Sequence, residues 1–233
     1  MGTPNDMATG DESLPARQLE ARELGCLRGG WPIFAGVTFA LSAGEALVLV
    51  GTNGSGKSSL LRLLAGYLPV AAGELLWRGV PLSKDPDLHR SRTRYLGHLD
   101  AIKAALTPRE DLSFWAQLHA QPDRRVEAAL AAFSLQELAD RPGRMLSAGQ
   151  RRRLALARLT VSPAPLWLLD EPTVGLDTAS QKALVAAIAR HRAAGGMLIM
   201  ATHQALPGVT DAAQRLDMNR YRPLPPDPEA LLL

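Results

Sequence analysis

Ala46-Leu-Val-Leu-Val50-Gly51-Thr-Asn-Gly54-Ser-Gly56-Lys57-Ser58-Ser59-Leu60-Leu61-Arg-Leu63-Leu64 is the stretch whose reading decides the fold. Its first five residues are apolar without alternation, which is how a strand buried on both faces of a parallel sheet reads. From Ser58 to Tyr67, Leu60, Leu61, Leu63 and Leu64 recur at helical spacing. Between strand and helix, the glycines at 51 and 56 with Lys57-Ser58 fulfil the pattern GxxxxGK[ST] in the context that gives it meaning. Glycines let such a loop curl so that successive backbone N–H groups point inward at a phosphate, and the helix adds its positive N-terminal end. The phosphate-binding residues are thus expected to be Gly51, Thr52, Asn53, Gly54, Ser55, Gly56, Lys57, Ser58 and Ser59. Lys57 is expected to bridge the β- and γ-phosphates of ATP, and the Ser58 hydroxyl to ligate Mg²⁺.

Working outward, Leu166-Trp-Leu-Leu169 and Met197-Leu-Ile-Met-Ala201 are two more continuous apolar runs. Helical patterns, such as Ser180 to Arg192, separate them, so the order implies right-handed βαβ units and an α/β fold with a parallel sheet. Ahead of the first buried strand, Trp31 to Leu41 lies between the turn signals Gly29-Gly30 and Ala43-Gly44, predicting an antiparallel β hairpin region. From about 96 to 159 the composition shifts to Ala, Leu, Arg and Glu, as in Pro108 to His119 and Arg124 to Asp140, which predicts a helical insert. One domain is expected over 22–220, with a tail over 1–21 and another over 221–233, where four prolines fall between Tyr221 and Pro228.

With 46% hydrophobic and 21% charged residues the chain can bury one sizeable core, which excludes disorder as its main state. Lys and Arg number 26 against 23 Asp and Glu, and a net charge of +3 is too small to imply a nucleic-acid partner. Arg151 to Arg153 reads as a solvated helix face rather than a basic patch. Cys26 is the only cysteine, which excludes an internal disulfide and a multi-cysteine zinc site, and it reads as a small buried hydrophobe. No run approaches the ~18 apolar residues that cross a bilayer, and Met1 to Glu20 holds no apolar signal region, so the chain reads as soluble.

Leu168-Leu169-Asp170-Glu171 sets two carboxylates at the C-terminal end of the second buried strand, the edge where ligands bind in open α/β sheets. If that strand is a parallel neighbour of the loop-bearing one, Asp170 falls beside Ser58 and the magnesium. Glu171 then points at the γ-phosphate, placed to polarise the attacking water. Leu146-Ser147-Ala148-Gly149-Gln150 reads as an N-cap serine and a glycine opening an Arg-rich helix, a second anion site.

LSAGQ resembles the LSGGQ signature of ABC ATPases, with Ala148 where that family usually has glycine. The order of phosphate loop, signature, Asp170-Glu171, Gly175-Leu176-Asp177 and His203 resembles a complete ABC cassette from about Leu24 to Leu206. This resemblance implies a P-loop NTPase core with a helical signature subdomain, working as a head-to-tail homodimer. Ser147, Gly149 and Gln150 of one subunit then cap the ATP held by the other. Asp177 links the two sites, and His203 senses the γ-phosphate and joins Glu171 and Lys57 in catalysis. Two positions depart from the family pattern. Where a glutamine usually links ATP to the membrane partner, His98 is the candidate; where an aromatic usually stacks on adenine, spacing gives Arg28, whose planar guanidinium can stack. Trp31, three residues later, reads equally as a core residue of the hairpin.

Tyr95-Leu-Gly-His-Leu-Asp-Ala-Ile-Lys-Ala-Ala-Leu-Thr-Pro108, the run from Leu146 to Arg158, and Gly196-Met-Leu-Ile-Met-Ala-Thr-His203-Gln narrow the resemblance. Together they are similar to the CcmA family, the ATP-binding subunits of the bacterial cytochrome c maturation system, labelled haem exporters. What this implies is a peripheral protein on the cytoplasmic face of the inner membrane, bound to integral membrane subunits. The resemblance admits two readings of its work, export of haem or release of a haem-loaded chaperone. An ABC ATPase of a different exporter or of a soluble assembly complex is the alternative. No Cys-x-x-Cys-His or His-rich tract indicates that this subunit itself binds haem.

Overall fold

The computed structural model describes residues 17–222. Strand β1 (Arg17–Arg28) turns through Gly29-Gly30, both at positive φ, into β2 (Trp31–Ser42), followed by β3 (Ala46–Val50) and helix α1 (Lys57–Leu64). Next come β4 (Ala72–Trp77), β5 (Val80–Pro81), α2 (Pro86–Ser91) and β6 (Thr93–Leu96). Three helices follow, α3 (Pro108–Leu118), α4 (Arg124–Ala132) and α5 (Ala148–Val161), and then β7 (Leu166–Asp170), α6 (Thr178–Ala193), β8 (Met197–Ala201) and β9 (Gln214–Asp217).

The strands form two sheets. One is antiparallel in the order β2-β1-β4-β5, and the other is parallel in the order β6-β7-β8-β3-β9. Because side chains alternate across a strand, the apolar runs feed two cores at once. Leu47, Leu49, Leu168 and Ile199 join the α1 leucines and the inner face of the antiparallel sheet. Val48, Leu169, Leu198 and Met200 join α3 to α6. Burial on both faces is why these strands read as continuous apolar runs.

The expected hairpin, parallel sheet and helical insert are all present. Strand β1, however, begins at Arg17, with Leu19 and Ala21 buried, so residues 17–21 are sheet where a tail was expected. The remaining tail expectations, for residues 1–16 and 223–233, lie outside the described residues. Trp31 is 55% exposed, which corrects its reading as a core residue: it pairs with Arg28 at the open tip of the hairpin, beyond the part the sheet covers. No helix among the described residues is long and apolar enough to cross a membrane.

The helical insert is tied together by buried charge as well as by leucines. Arg158 of α5 donates from Nε and Nη2 to both carboxylate oxygens of Asp111 on α3, at 2.7 and 2.5 Å, and its guanidinium lies over the Trp115 ring. The Arg158 and Asp111 side chains are 13% and 3% exposed, so the pair is desolvated and removing one partner strands the other. Asp111→Ala is therefore expected to lower the unfolding free energy by about 3 kcal/mol in urea titration. Asp87→Ala, in the exposed pair with Arg90, should change it far less and serves as control.

Candidate nucleotide site

The site grows from one register. Leu49 of β3 pairs with Ala201 of β8, and Ala201 pairs with Asp170 of β7, so three strand ends finish side by side at one edge of the parallel sheet. The loop after β3, Thr202-His203 after β8 and Glu171 after β7 all leave from that edge. The strand carrying Asp170 is not the direct neighbour of the loop-bearing strand, as the sequence reading had it: β8 lies between them. The interposed strand is what brings His203 to the centre.

The loop needs its glycines. Gly51 has φ 137°, and a Cβ there would lie 2.7 Å from Ser55 Oγ. Gly56 has φ 96° and caps α1, and a Cβ there would meet Phe34 and Ile33 of β2 at 3.1 and 3.2 Å. Lys57 is buried and its Nζ donates to the carbonyls of Gly51 and Thr52 at 2.7 and 3.0 Å, which holds the ammonium inside the curl of the loop. Thr52, Asn53 and Gly54 are exposed at the rim, Ser58 and Ser59 are half-buried in the first turn of α1, and Ser55 is buried with no partner for its Oγ. Asn219, in the single turn after β9, accepts from both the N–H and the hydroxyl of Thr52, at 3.1 and 2.8 Å. Nothing in the sequence pattern singled out Asn219, since one polar residue 167 positions from its partner carries no local signal.

Opposite the loop, Asp170 is 4% exposed, and no side chain or N–H among the described residues donates a hydrogen bond to its carboxylate. Glu171 has φ 47°, a left-handed conformation held by four bonds, one of them from the Val174 N–H to the Glu171 carbonyl at 3.3 Å. Its N–H donates to the Ala201 carbonyl at 2.9 Å, while Arg152 Nη2 donates to the carbonyls of Asp170 and Glu171 at 3.2 and 2.7 Å. His203 Nε2 lies 3.5 Å from Glu171 Oε1, with the imidazole half exposed. Arg152 is thus not part of a solvated face. It is 4% exposed, because α5 runs against the β7 end and turns this side chain inward. The arginine triplet gave no sign of which member is buried.

The signature residues sit at the start of α5. Ser147 Oγ accepts from the Gln150 N–H while the Gln150 side chain accepts from the Ser147 N–H, so both form a capping box and Gln150 is held within its own subunit. A Cβ on Gly149 would lie 3.2 Å from the carbonyl of Gly175, which sets the signature turn against the loop carrying Asp177. Asp177 caps α6 by accepting from the Ser180 N–H at 2.8 Å. Those hydrogen bonds from Ser180 hold its carboxyl below the usual carboxylate range. His98 is exposed and lines a groove of about 750 Å³ with Leu99, Tyr95 and Trp115, and Leu99 is 82% exposed. Arg28, at the hairpin tip with Trp31, is exposed as well; it stands beyond Ile33 and Phe34, the residues packed on Gly56.

Comparison with known proteins gives the family. The ABC transporter family model matches residues 34–174. The cytochrome c biogenesis ATP-binding export protein CcmA of Paramagnetospirillum magneticum is 55% identical over 207 residues, covering 86% of this chain and 94% of that protein. Its namesake from Rhodospirillum rubrum is 58% identical over 190 residues, covering 81% of this chain and 82% of that protein. A solved structure of the ATP-binding subunit of an ABC transporter shares the fold with a TM-score of 0.78, at 24% identity and 87% coverage of each chain. The chain belongs to the ABC transporter family, as an ATP-binding subunit closely related to the CcmA proteins.

Proposed function

We propose that this chain is the ATPase of a cytochrome c maturation complex, hydrolysing ATP at the cytoplasmic face of the bacterial inner membrane to drive integral membrane subunits. The observation that carries the catalytic part is the 3.5 Å approach of His203 Nε2 to Glu171 Oε1 at the strand edge shared with the phosphate loop. A carboxylate there can take the proton of an attacking water, and the imidazole can steady that carboxylate and meet the γ-phosphate. Lys57, already inside the loop, supplies positive charge to the β- and γ-phosphates. The donor set also suits a hard cation: among the described residues Asp170 is a buried carboxylate that accepts no hydrogen bond, and Ser58 adds a hydroxyl oxygen at the start of α1. Ser58 and Asp170 would hold Mg²⁺, and the ion would supply positive charge against the negative charge that develops on the phosphate.

The remaining roles follow the same reading. Ser147 and Gly149 present the start of α5 to ATP held by a second subunit, with Gln150 keeping that turn in shape and Asp177 fixing the loop between the two sites. Arg28 stacks on the adenine. The groove around His98 receives the membrane subunits, to which exposed Leu99 offers apolar surface. The names of the relatives support the cytochrome c assignment, since the cargo of an ABC ATPase is chosen by its partners and not by the cassette.

Glu171→Gln is expected to keep nucleotide affinity and lower turnover at least about 100-fold, measured by phosphate release and by nucleotide titration; normal turnover would remove Glu171 from the base role. Ser147→Arg should leave nucleotide binding by isolated subunits intact and abolish hydrolysis, and wild-type turnover in that variant would argue against capping in trans. For the pathway, reduced-minus-oxidised spectra of membranes from a strain lacking this protein should lose the c-type cytochrome bands. Wild type should restore them and Glu171→Gln should not. Unchanged bands in the deletion strain would assign the ATPase to a different exporter.

A further inference from the structure

Arg152, which no motif singles out, reaches the strand edge of the site from α5. Its guanidinium divides between two segments. Nη2 donates to the carbonyls of Asp170 and Glu171, at 3.2 and 2.7 Å. Nη1 donates to the Gly97 carbonyl at 3.0 Å and to Asp100 Oδ1 at 2.9 Å. Nε is buried without a partner, so these four hydrogen bonds, one of them to a carboxylate, are what compensate a desolvated cation.

What the first pair of bonds restrains is the backbone of Glu171. A non-glycine residue at φ 47° persists only where its surroundings over-determine it. Here the Glu171 N–H is fixed by Ala201, and the carbonyls on either side of its α-carbon both accept from the one side chain of Arg152, the Glu171 carbonyl from the Val174 N–H as well. The second pair grips Gly97 and Asp100, the two ends of the short segment that carries His98 and Leu99 into the groove.

We propose that Arg152 is a positioning residue for hydrolysis. Acting through the Glu171 backbone, it aims that carboxylate, and through Gly97 and Asp100 it makes the aim depend on where the groove segment stands. The proposal rests on the reading of Glu171 as the base. It needs the planar fork of arginine, because one ammonium nitrogen on lysine cannot span both pairs of acceptors. Misplacing a reacting group by about 1 Å costs on the order of 100-fold in rate, and that sets the size of the expected effect.

The test uses the full-length chain assembled with its membrane subunits, comparing wild type, Arg152→Lys, Glu171→Gln and the double variant. The readouts are kcat, KM for ATP, affinity for a fluorescent ATP analogue and the unfolding midpoint. Arg152→Lys should lower kcat about 10- to 100-fold while KM and analogue affinity stay within about threefold. In the Glu171→Gln background it should add little, because both changes act on one group. An unchanged kcat overturns the proposal. So does a loss of kcat and analogue affinity in step with a lowered unfolding midpoint, and so does a full multiplicative loss in the double variant. Where Arg152→Lys fails to fold, Asp100→Asn keeps the bonds to Asp170 and Glu171 and loosens only the groove side. It should lower kcat about threefold to tenfold at unchanged KM, and a wild-type kcat there overturns the link. Normal turnover in Glu171→Gln alone would bring down the base reading and this proposal with it. The expected loss there, beside a normal kcat in Arg152→Lys, would bring down this proposal alone.

Discussion

Parallel pairing of β3, β8 and β7 in one register, Leu49 to Ala201 to Asp170, is the constraint on which the site depends. Side chains on a strand alternate with a period of two, so a slip of one residue would exchange the two cores and turn Val48 and Leu49 toward the wrong partners. Both faces of these strands are buried, which makes the slipped state costly on each side at once. The same register brings the loop, His203 and Glu171 out at one level. The geometry of the proposed site is therefore guarded by hydrophobic packing, and the loops add only local shape.

Buried arginines join the helical insert to that edge. Arg158 binds Asp111 and the carbonyls of Asp100 and Ala101, and Arg152 binds Gly97, Asp100 and the end of β7. Both lie on α5, six residues apart, and both reach the segment from 97 to 101. A leucine in either place could pack but could not donate hydrogen bonds to these carbonyl oxygens. The insert is thus fastened to the nucleotide edge by directional bonds, which specify one arrangement where apolar contact alone would allow sliding.

Much of this was legible in the sequence because the signals are local. The run from Ala46 to Leu64 carries strand, loop and helix in one reading, and the three apolar runs became the three central strands. What escaped was either short or distant. Strands β6 and β9 have four residues each, too few for a periodicity to show. The place of β8 between β3 and β7 is a matter of topology, which strand patterns do not encode. Residues 17–21 were read as tail with the acids, Pro and Gly that precede them, because the alternation of Leu19 and Ala21 with Gln18, Glu20 and Arg22 shows only two apolar positions there. Asn219 and Arg152 act through partners far along the chain, so only the folded structure shows them.

The departure from the family pattern at Ala148 has a physical reading too. Positive φ is what makes glycine necessary, and Ala148 is not among the residues with positive φ, being the first residue of α5 after its Ser147 cap. Gly149 is different: a Cβ there would come within 3.2 Å of the Gly175 carbonyl, so the turn or the loop that carries Asp177 would have to give by a few tenths of an ångström. In the proposed dimer the groups this turn offers a neighbour's phosphate are first-turn amides of a helix, since the Gln150 N–H is already taken by Ser147. Amides at 148 and 149 are indifferent to whether residue 148 carries a methyl group, provided that the turn keeps its place. Alanine at 148 is then compatible with the function the motif serves, while at Gly149 the nearby Gly175 carbonyl leaves little room for a side chain.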